Sequence, residues 1–327
     1  MMFSFEYYMT TIEEELKRLA IGSKIPAGLY EPIDYVMAAG GRRVRPVLTL
    51  MACHLFSDDI GKAVTPALAL EIFHNFTLLH DDLMDHADVR RNRPTVHKRW
   101  NESTAILSGD AMLILAYRLM CRAQPEILPE LLDVFTQTAL EVCEGQQYDM
   151  DFEQRSDVCI DEYLQMIRLK TAVLLAASLK IGAICGGATR ENIESLDRFG
   201  ISLGLTFQIQ DDWLDVYADP DVFGKAIGGD ILTGKKTFLL LTAFEKADET
   251  TRTELIALLE NAKISADEKI SSVKAIYDLL GVSDAARQAM DNYYQQAISF
   301  LQEVTIPDPS RKSILNKFAA QLLKREK

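Results

Sequence analysis

Residues 68–85 read LALEIFHNFTLLHDDLMD, and the spacing within them decides the fold class. Leu68, Ile72, Asn75, Phe76 and Leu79 recur every three or four residues, which is the period of one face of an α-helix. The run ends on Asp81, Asp82 and Asp85. Residues 201–215, ISLGLTFQIQDDWLD, repeat the arrangement and end on Asp211, Asp212 and Asp215. Both endings read DDxxD. Positions i and i+4 of a helix share a face about 5–6 Å apart, so Asp81 with Asp85, and Asp211 with Asp215, form stacked carboxylate pairs. Stacked like charges on an apolar helix are destabilising unless a cation neutralises them. Clustered oxygen ligands suit Mg²⁺, which keeps several waters and bridges carboxylates to phosphates. A solvated helix turn explains one such patch well, but two copies argue against it.

Working outward, Leu113, Ala116, Tyr117 and Met120 make a further helical stripe. Breaks at Gly40-Gly41, Pro125 to Pro129, Gly186-Gly187, Asp219-Pro220, Gly228-Gly229 and Ile306 to Pro309 leave segments of about 15 to 30 residues. Alternating strands bounded by hairpin turns are absent, and no linker composition divides the chain. The expectation is one all-α domain over residues 1–327, a large helical bundle around a deep interior. With 17 Gly, 10 Pro, 48% apolar and 25% charged residues, the composition is globular and poor in loops. The net charge of −13 excludes nucleic acid as a partner recognised through the general field. An anionic ligand would need local Lys and Arg clusters or bound cations. Five scattered cysteines without a CxxC pair read as reduced, mostly buried thiols of a cytoplasmic protein, with Cys159 and Cys185 in the core. The acidic N-terminal stretch does not read as a signal peptide. The apolar stretch Thr171 to Thr189 carries Lys180 and three glycines, so it reads as a buried helix rather than a membrane span.

Basic residues flank the carboxylate patches. GGRRVRP (residues 40–46) places three guanidinium groups within four positions. Arg90 and Arg91 follow the first patch, Lys170-Thr171 opens the buried helix, and Lys225, Lys235 and Lys236 follow the second patch. Arg grips phosphate bidentately and Lys supplies a compact charge. Together with the carboxylates these clusters describe a site for more than one phosphorylated ligand.

The ordered set of motifs resembles the trans-isoprenyl diphosphate synthases (polyprenyl synthetases) from about Leu29 to the end of the chain. GGRRVRP is similar to the family's GGKRLRP, with Arg42 where Lys is more frequent. HNFTLLHDDLMD, followed by RRNRPTVH, resembles the first aspartate-rich motif. Gly145 to Asp149 is similar to GQxxD, Lys170-Thr171-Ala172 to KTA, Phe207 to Asp215 to FQxxDDxLD, and GKAIGGDILTGKKT to the segment after it.

The resemblance implies an all-α bundle with a deep central cavity, usually a homodimer. It implies that Asp81, Asp85 and Asp211 hold Mg²⁺, three ions per active site, on the diphosphate of an allylic substrate, supported by Asp82, Asp212 and Asp215. Arg90, Lys170, Lys225 and Lys235 match positions that grip that diphosphate; Arg42, Arg45, His74 and Arg91 match those binding isopentenyl diphosphate. Lys170, Thr171 and Gln208 match the catalytic positions, Thr171 and Gln208 steadying the developing allylic cation. The implied chemistry is ionisation, condensation and elimination, with released diphosphate as the base. Water is kept out by an apolar cavity. A terpene cyclase would replace the second DDxxD by an Asn/Asp…Ser/Thr…Glu site, and a head-to-head synthase would show DxxED motifs. A His-Asp phosphohydrolase would leave the second patch unexplained. A catalytically silent subunit of a heteromeric synthase should have lost an acidic motif, and both are intact.

Product length is read from Thr77, Phe76 and Phe73, which lie four, five and eight residues before Asp81. At 1.5 Å per residue, Phe76 stands roughly 7.5 Å and Phe73 roughly 12 Å below the metal site. By resemblance Phe76 floors the cavity and Thr77 leaves the level above it open. This pattern implies geranylgeranyl diphosphate as product, with farnesyl diphosphate the alternative.

Overall fold

The computed structural model describes residues 4–218 and 227–323 of the chain, and those residues are overwhelmingly helical. They form two compact units. The first comprises Met1–Thr136, Ala177–Glu194 and Thr305–Ile314, and the second Gln137–Ala176, Ser195–Val304 and Leu315–Lys327.

In the first unit the predicted stripe lies on a 24-residue helix. The helices are α1 (Phe5–Arg18), α2 (Ala27–Met37), α3 (Val44–Phe56), α4 (Gly61–Met84), α5 (Val96–Arg99) and α6 (Glu102–Met120). Helix α4 packs against α3 and α6 and buries Leu68, Ile72, Phe73, Asn75 and Leu79. Helix α3 is buried from Pro46 to Leu55. Asn101 caps α6 by accepting from Thr104 N at 2.8 Å. A glycine lets the next layer close up: a Cβ on Gly182 would sit 2.1 Å from the Thr49 carbonyl oxygen. Sequence reading finds no strand, yet Val89–Arg90 pairs antiparallel with Arg93–Pro94. The two residues joining them, Arg91 (φ 52) and Asn92 (φ 59), are both left-handed, the dihedrals of a tight hairpin turn. Asn tolerates that region well and signals the turn weakly; Arg does not signal it at all.

Continuing in chain order come α7 (Leu128–Glu153), α8 (Ile160–Ile167), a π-helical turn (Arg168–Ala172), α9 (Val173–Gly186) and α10 (Arg190–Tyr217). Then follow α11 (Gly229–Thr233), α12 (Phe238–Lys246), α13 (Glu249–Glu260), α14 (Ala266–Leu279), α15 (Val282–Glu303) and α16 (Lys312–Leu323). The core of the second unit gathers Tyr163, Met166, Ile209, Trp213, Leu239, Leu240, Tyr277 and Met290. The stretch Ile160–Gly186 is long and apolar enough to cross a membrane, but 78% of its most apolar window is buried within the protein, as for a core helix.

The thiols depart from expectation. Cys53 and Cys185 are buried, whereas Cys121, Cys143 and Cys159 are exposed. Cys159 stands at the N-terminus of α8, where its backbone N–H donates to Glu162 Oε2 at 3.1 Å. An end position held by a cap does not require the side chain to be buried.

Candidate active site

In the first unit, α4 carries its carboxylates to its C-terminus. Asp81 lies in the last turn and Asp85 is the C-cap, its N–H donating to Asp81 O at 2.9 Å. Asp81 is half-buried and Asp85 exposed, while Asp82, rotated toward the core, is buried. Arg90, held by the short strand pair, donates from Nε to Asp82 Oδ1 at 2.6 Å. Burial lifts the Asp82 carboxyl above its ordinary range, and Arg90 pulls it back. Negative charge at a helix C-terminus is unfavourable, because the last carbonyls carry partial negative charge. The end of α4 therefore favours cations.

The three arginines of GGRRVRP have three different fates. Arg42 is exposed, without an ion pair among the described residues. Arg43, in left-handed conformation at φ 46, is only 5% exposed. Its guanidinium donates to Glu13 Oε1 at 2.8 Å, Glu71 Oε1 at 2.7 Å and Met37 O at 2.8 Å. Glu71 also accepts from Asn75 Nδ2 at 3.0 Å. Arg45 Nη1 lies 3.0 Å from His74 Nε2. Arginine can only donate, so His74 accepts and is neutral, with its proton on Nδ1. Burial, then Arg45, Arg91, Arg90 and Arg43, push His74 well below its ordinary value. Burial also brings Arg45 down to about 10, Glu71 opposing and Arg91 reinforcing the shift. Arg45 Nε is buried without a partner. The Arg91 guanidinium donates to Gly40 O and lies against Gly41, closing the loop onto the strand turn.

Below Asp81, Phe73 is buried with its ring 5.3 Å from Phe135 and 5.5 Å from Phe76. Phe76 is half-buried, with its ring 4.8 Å from that of His80. Thr77, also half-buried, donates from Oγ1 to His74 O at 2.8 Å.

In the second unit, the π-helical turn carries Lys170 and Thr171. Such turns insert a residue into a helix and recur at functional sites. Gly145 of the GQQYD segment makes room for it: a Cβ there would lie 2.3 Å from Lys170 N. One turn on, Asp149 accepts from Lys170 Nζ at 2.6 Å. Thr171 Oγ1 donates to Gln208 Oε1 at 3.2 Å, and Gln208 Nε2 donates to Asp212 Oδ1 at 3.3 Å. Asp212 also accepts from Tyr163 OH and, at 3.0 Å, from Phe238 N. Burial lifts its carboxyl to about 6 against these hydrogen bonds and Lys235. Asp211 and Asp215 are half-buried in the last two turns of α10. Asp215 Oδ2 accepts from Asp230 N at 3.0 Å. Burial, Asp212 and Asp215 raise Asp230 to about 7, with Lys235 opposing.

The candidate residues thus fall into two sets. Arg45, His74, Arg90, Arg91, Asp81, Asp82 and Asp85 gather in the first unit, with Arg42 at the exposed edge of the same loop. Lys170, Thr171, Gln208, Lys235, Asp211, Asp212 and Asp215 lie in the second. Lys225 lies outside the described residues. Sequence reasoning passed over Arg43, Glu71, Tyr163, Asp149 and Asp230. Asp149 and Asp230 stood inside quoted motifs (GQQYD and GGDILTGKKT). Glu71 carried a signal too, a carboxylate inside an apolar stripe; Tyr163 carried none.

Comparison with known proteins accords with this geometry. The polyprenyl synthetase family profile matches residues 26–280. A short chain isoprenyl diphosphate synthase of Methanothermobacter thermautotrophicus is 36% identical over 315 residues, covering 96% of this chain and 95% of that protein. A geranylgeranyl diphosphate synthase of Methanosarcina mazei is 36% identical, covering 92% and 91%. A crystal structure of a geranylgeranyl pyrophosphate synthase superposes with a TM-score of 0.94 at 44% identity, covering both chains completely. The architecture is the all-α isoprenoid synthase fold, and the chain belongs to the polyprenyl synthetase family as an isoprenyl diphosphate synthase, a trans-prenyltransferase.

Proposed function

We propose that the protein condenses isopentenyl diphosphate with an allylic diphosphate and releases geranylgeranyl diphosphate. The observation that carries the reading is the cluster of half-buried Arg45 and His74 with exposed Arg91, in which Arg45 Nε is buried without a partner and the histidine is held neutral. Cations held this close in a chain of net charge −13 are balanced by an anion rich in acceptors, and a diphosphate supplies one. Arg42, on the same loop, extends that grip. The whole chain acts as one catalytic module in this reading, and the family match, which runs through both units, supports it.

The donor set fits Mg²⁺. Asp81, Asp85 and Asp211 offer carboxylate oxygens near helix C-termini, and among the described residues no group of three His, Cys, Asp or Glu side chains is placed to hold a metal ion by itself, so substrate phosphate would have to complete the ligand set. Mg²⁺ bound this way keeps positions for water and substrate phosphate. When bound, three such ions would neutralise charge on the departing diphosphate. Arg90, Lys170, Lys225 and Lys235 hold the same diphosphate. Lys170 is preset by Asp149, and the π-helical turn aims its neighbour Thr171. Thr171 and Gln208 form a fixed dipolar pair, anchored through Asp212, for the allylic cation. The double bond of isopentenyl diphosphate attacks that cation, and the departed diphosphate takes up the proton. Phe76, half-buried above Phe73, floors the space for the chain.

Two further parts of the reading rest on surface chemistry. Ile106, Leu107 and Ile114 stand 49–67% exposed on α6, and Leu140, Tyr148 and Met150 are exposed on α7. These apolar faces support a homodimer. Five unpaired thiols support a reducing cytoplasm. The deciding assay supplies purified protein with labelled isopentenyl diphosphate and farnesyl or geranyl diphosphate, and identifies the dephosphorylated product. Twenty-carbon product is expected with Mg²⁺ and none with excess chelator. Asp81→Ala and Asp211→Ala should each lower turnover by at least about 10²–10³-fold, the loss typical of one electrostatic stabiliser. Full turnover in chelator, or in either variant, refutes the assignment.

A further inference from the structure

A second basic site lies in the first unit, remote from the carboxylates. A cavity of about 360 Å³ is lined by Arg18, Lys24, Arg118 and Arg122 at its rim. Its floor is apolar, made by Leu19, Ile21, Ile72, Leu115 and Leu119, and Tyr30 forms part of the wall. Ile72 precedes Asp81 by nine residues, about 13 Å along the axis of α4. The volume falls within the range of small-molecule pockets.

The charge balance here is unusual for this chain. Among the described residues no carboxylate lines the cavity, although the protein carries 48 acidic residues against 35 basic ones. Among the described residues, Arg118, Arg122 and Lys24 have no ion-pair partner. The Lys24 ammonium lies 5.7 Å from the centre of the Tyr30 ring, which orients it without neutralising it. Only Arg18 is paired, with Glu15 one turn back on α1. The arginines near the ends of α1 and α6 also answer those helix dipoles, but a dipole does not account for Lys24 or for the apolar floor. Ile21, Ile72 and Leu119 are at most 6% exposed, so the floor is held by the core and only the edges of these side chains reach the cavity.

We propose that this cavity binds an amphipathic phosphate ester, a single alkyl or prenyl chain with a phosphate head. The head meets Arg118, Arg122 and Lys24, and the chain lies on Ile72, Leu115 and Leu119. Arginine matches phosphate oxygens bidentately, and removing the chain from water against the apolar lining adds to the affinity. A concave site of this volume takes one monomeric chain rather than a bilayer surface.

The test is calorimetric titration of the full-length protein with monomeric dodecyl phosphate in excess chelator, which separates this site from metal-dependent diphosphate binding. Saturable binding is expected, with inorganic phosphate alone and dodecanol alone each at least tenfold weaker. Arg118→Ala/Arg122→Ala should weaken it at least tenfold, Arg118→Lys/Arg122→Lys should restore most of it, and Asp81→Ala/Asp211→Ala should leave it unchanged. Both basic positions are exposed, and thermal melting verifies that the variants fold. Three results would each overturn the proposal: absence of saturable binding, equal affinity in the double alanine variant, or binding only to phosphatidic acid vesicles. None of them bears on prenyl transfer, which is measured separately.

Discussion

Glu71 offers the sharpest test of how the first unit holds its arginines. In Glu71→Ala, Arg43 loses the carboxylate 2.7 Å from its Nη1, and both side chains of that pair are only 3% exposed. Removing one partner of a buried ion pair costs about 3–5 kcal/mol, because the other charge stays buried and uncompensated. Glu13 remains as a second partner and its side chain is 37% exposed, which places the expectation near the lower figure, ~3 kcal/mol. At roughly 2–4 °C per kcal/mol for a protein of this class, the melting temperature should fall by about 6–12 °C. Trp100 lies in the first unit and Trp213 in the second, so fluorescence melting in a Trp213→Phe background reads the first unit. Replacing both partners with apolar residues, Arg43→Met/Glu71→Leu, should recover most of the loss, since an apolar pair leaves no stranded charge. The double variant should still raise KM for isopentenyl diphosphate, because Arg43 anchors the loop that carries Arg42 and the start of α3, where Arg45 stands. A drop below about 2 °C in Glu71→Ala, or a double variant as damaged as the sum of the singles, would refute the reasoning.

Arg45→Ala should raise KM for isopentenyl diphosphate at least tenfold with little change for the allylic partner, and Lys235→Ala the reverse; initial-rate kinetics with each substrate varied in turn would expose equal effects. His74 is neutral in the unliganded protein, and a bound diphosphate should raise its affinity for a proton. Substrate binding then takes up a proton, so KM for isopentenyl diphosphate should fall as pH drops from 8 toward 6, with His74→Gln showing a flatter profile; identical profiles would remove His74 from the site. Phe76→Ala should lengthen the product by at least one five-carbon unit, and adding Phe73→Ala should lengthen it again. An unchanged product from a folded, active Phe76→Ala enzyme would show that the floor lies elsewhere.

The helical stripe of α4 was legible in that Leu68, Ile72, Asn75 and Leu79 are buried and Phe76 half-buried, but burial outruns the period: Pro66 to Phe73 is buried on every side, which a one-face stripe does not announce. The DDxxD motifs were legible for a related reason, since a carboxylate pair ending an apolar helix conflicts with local preference. Arg43 was not separable from Arg42 and Arg45, because adjacent arginines look alike until a left-handed backbone turns one of them inward. The hairpin at Arg91-Asn92 escaped notice because two-residue strands carry no alternating pattern. Tyr163 and Asp230 belong to a network closed by tertiary contacts 49 and 15 residues apart, beyond the reach of any local period.

Both aspartate motifs share one internal division of labour. In a helix, residues one apart are turned about 100° from each other, whereas residues four apart nearly coincide. The second Asp of each motif therefore points into the core when the first and last face outward. Asp82 is taken up by Arg90, and Asp212 by Tyr163, Gln208 and the Phe238 backbone. Each buried carboxylate is thus compensated by the protein itself, whereas the outer residues stand nearer the surface, Asp85 exposed and Asp81, Asp211 and Asp215 half-buried. The inner residue also connects each patch to its basic neighbours: Arg90 lies beside Arg91 on the turn that touches Gly40, and Gln208 links Asp212 to Thr171. An inner Asp→Asn change should accordingly disturb the placement of Arg90 or Thr171, whereas an outer Asp→Asn change should weaken cation binding with the helix left intact. Each motif thus pairs one buried carboxylate, held by the protein's own donors, with two neighbours nearer the surface.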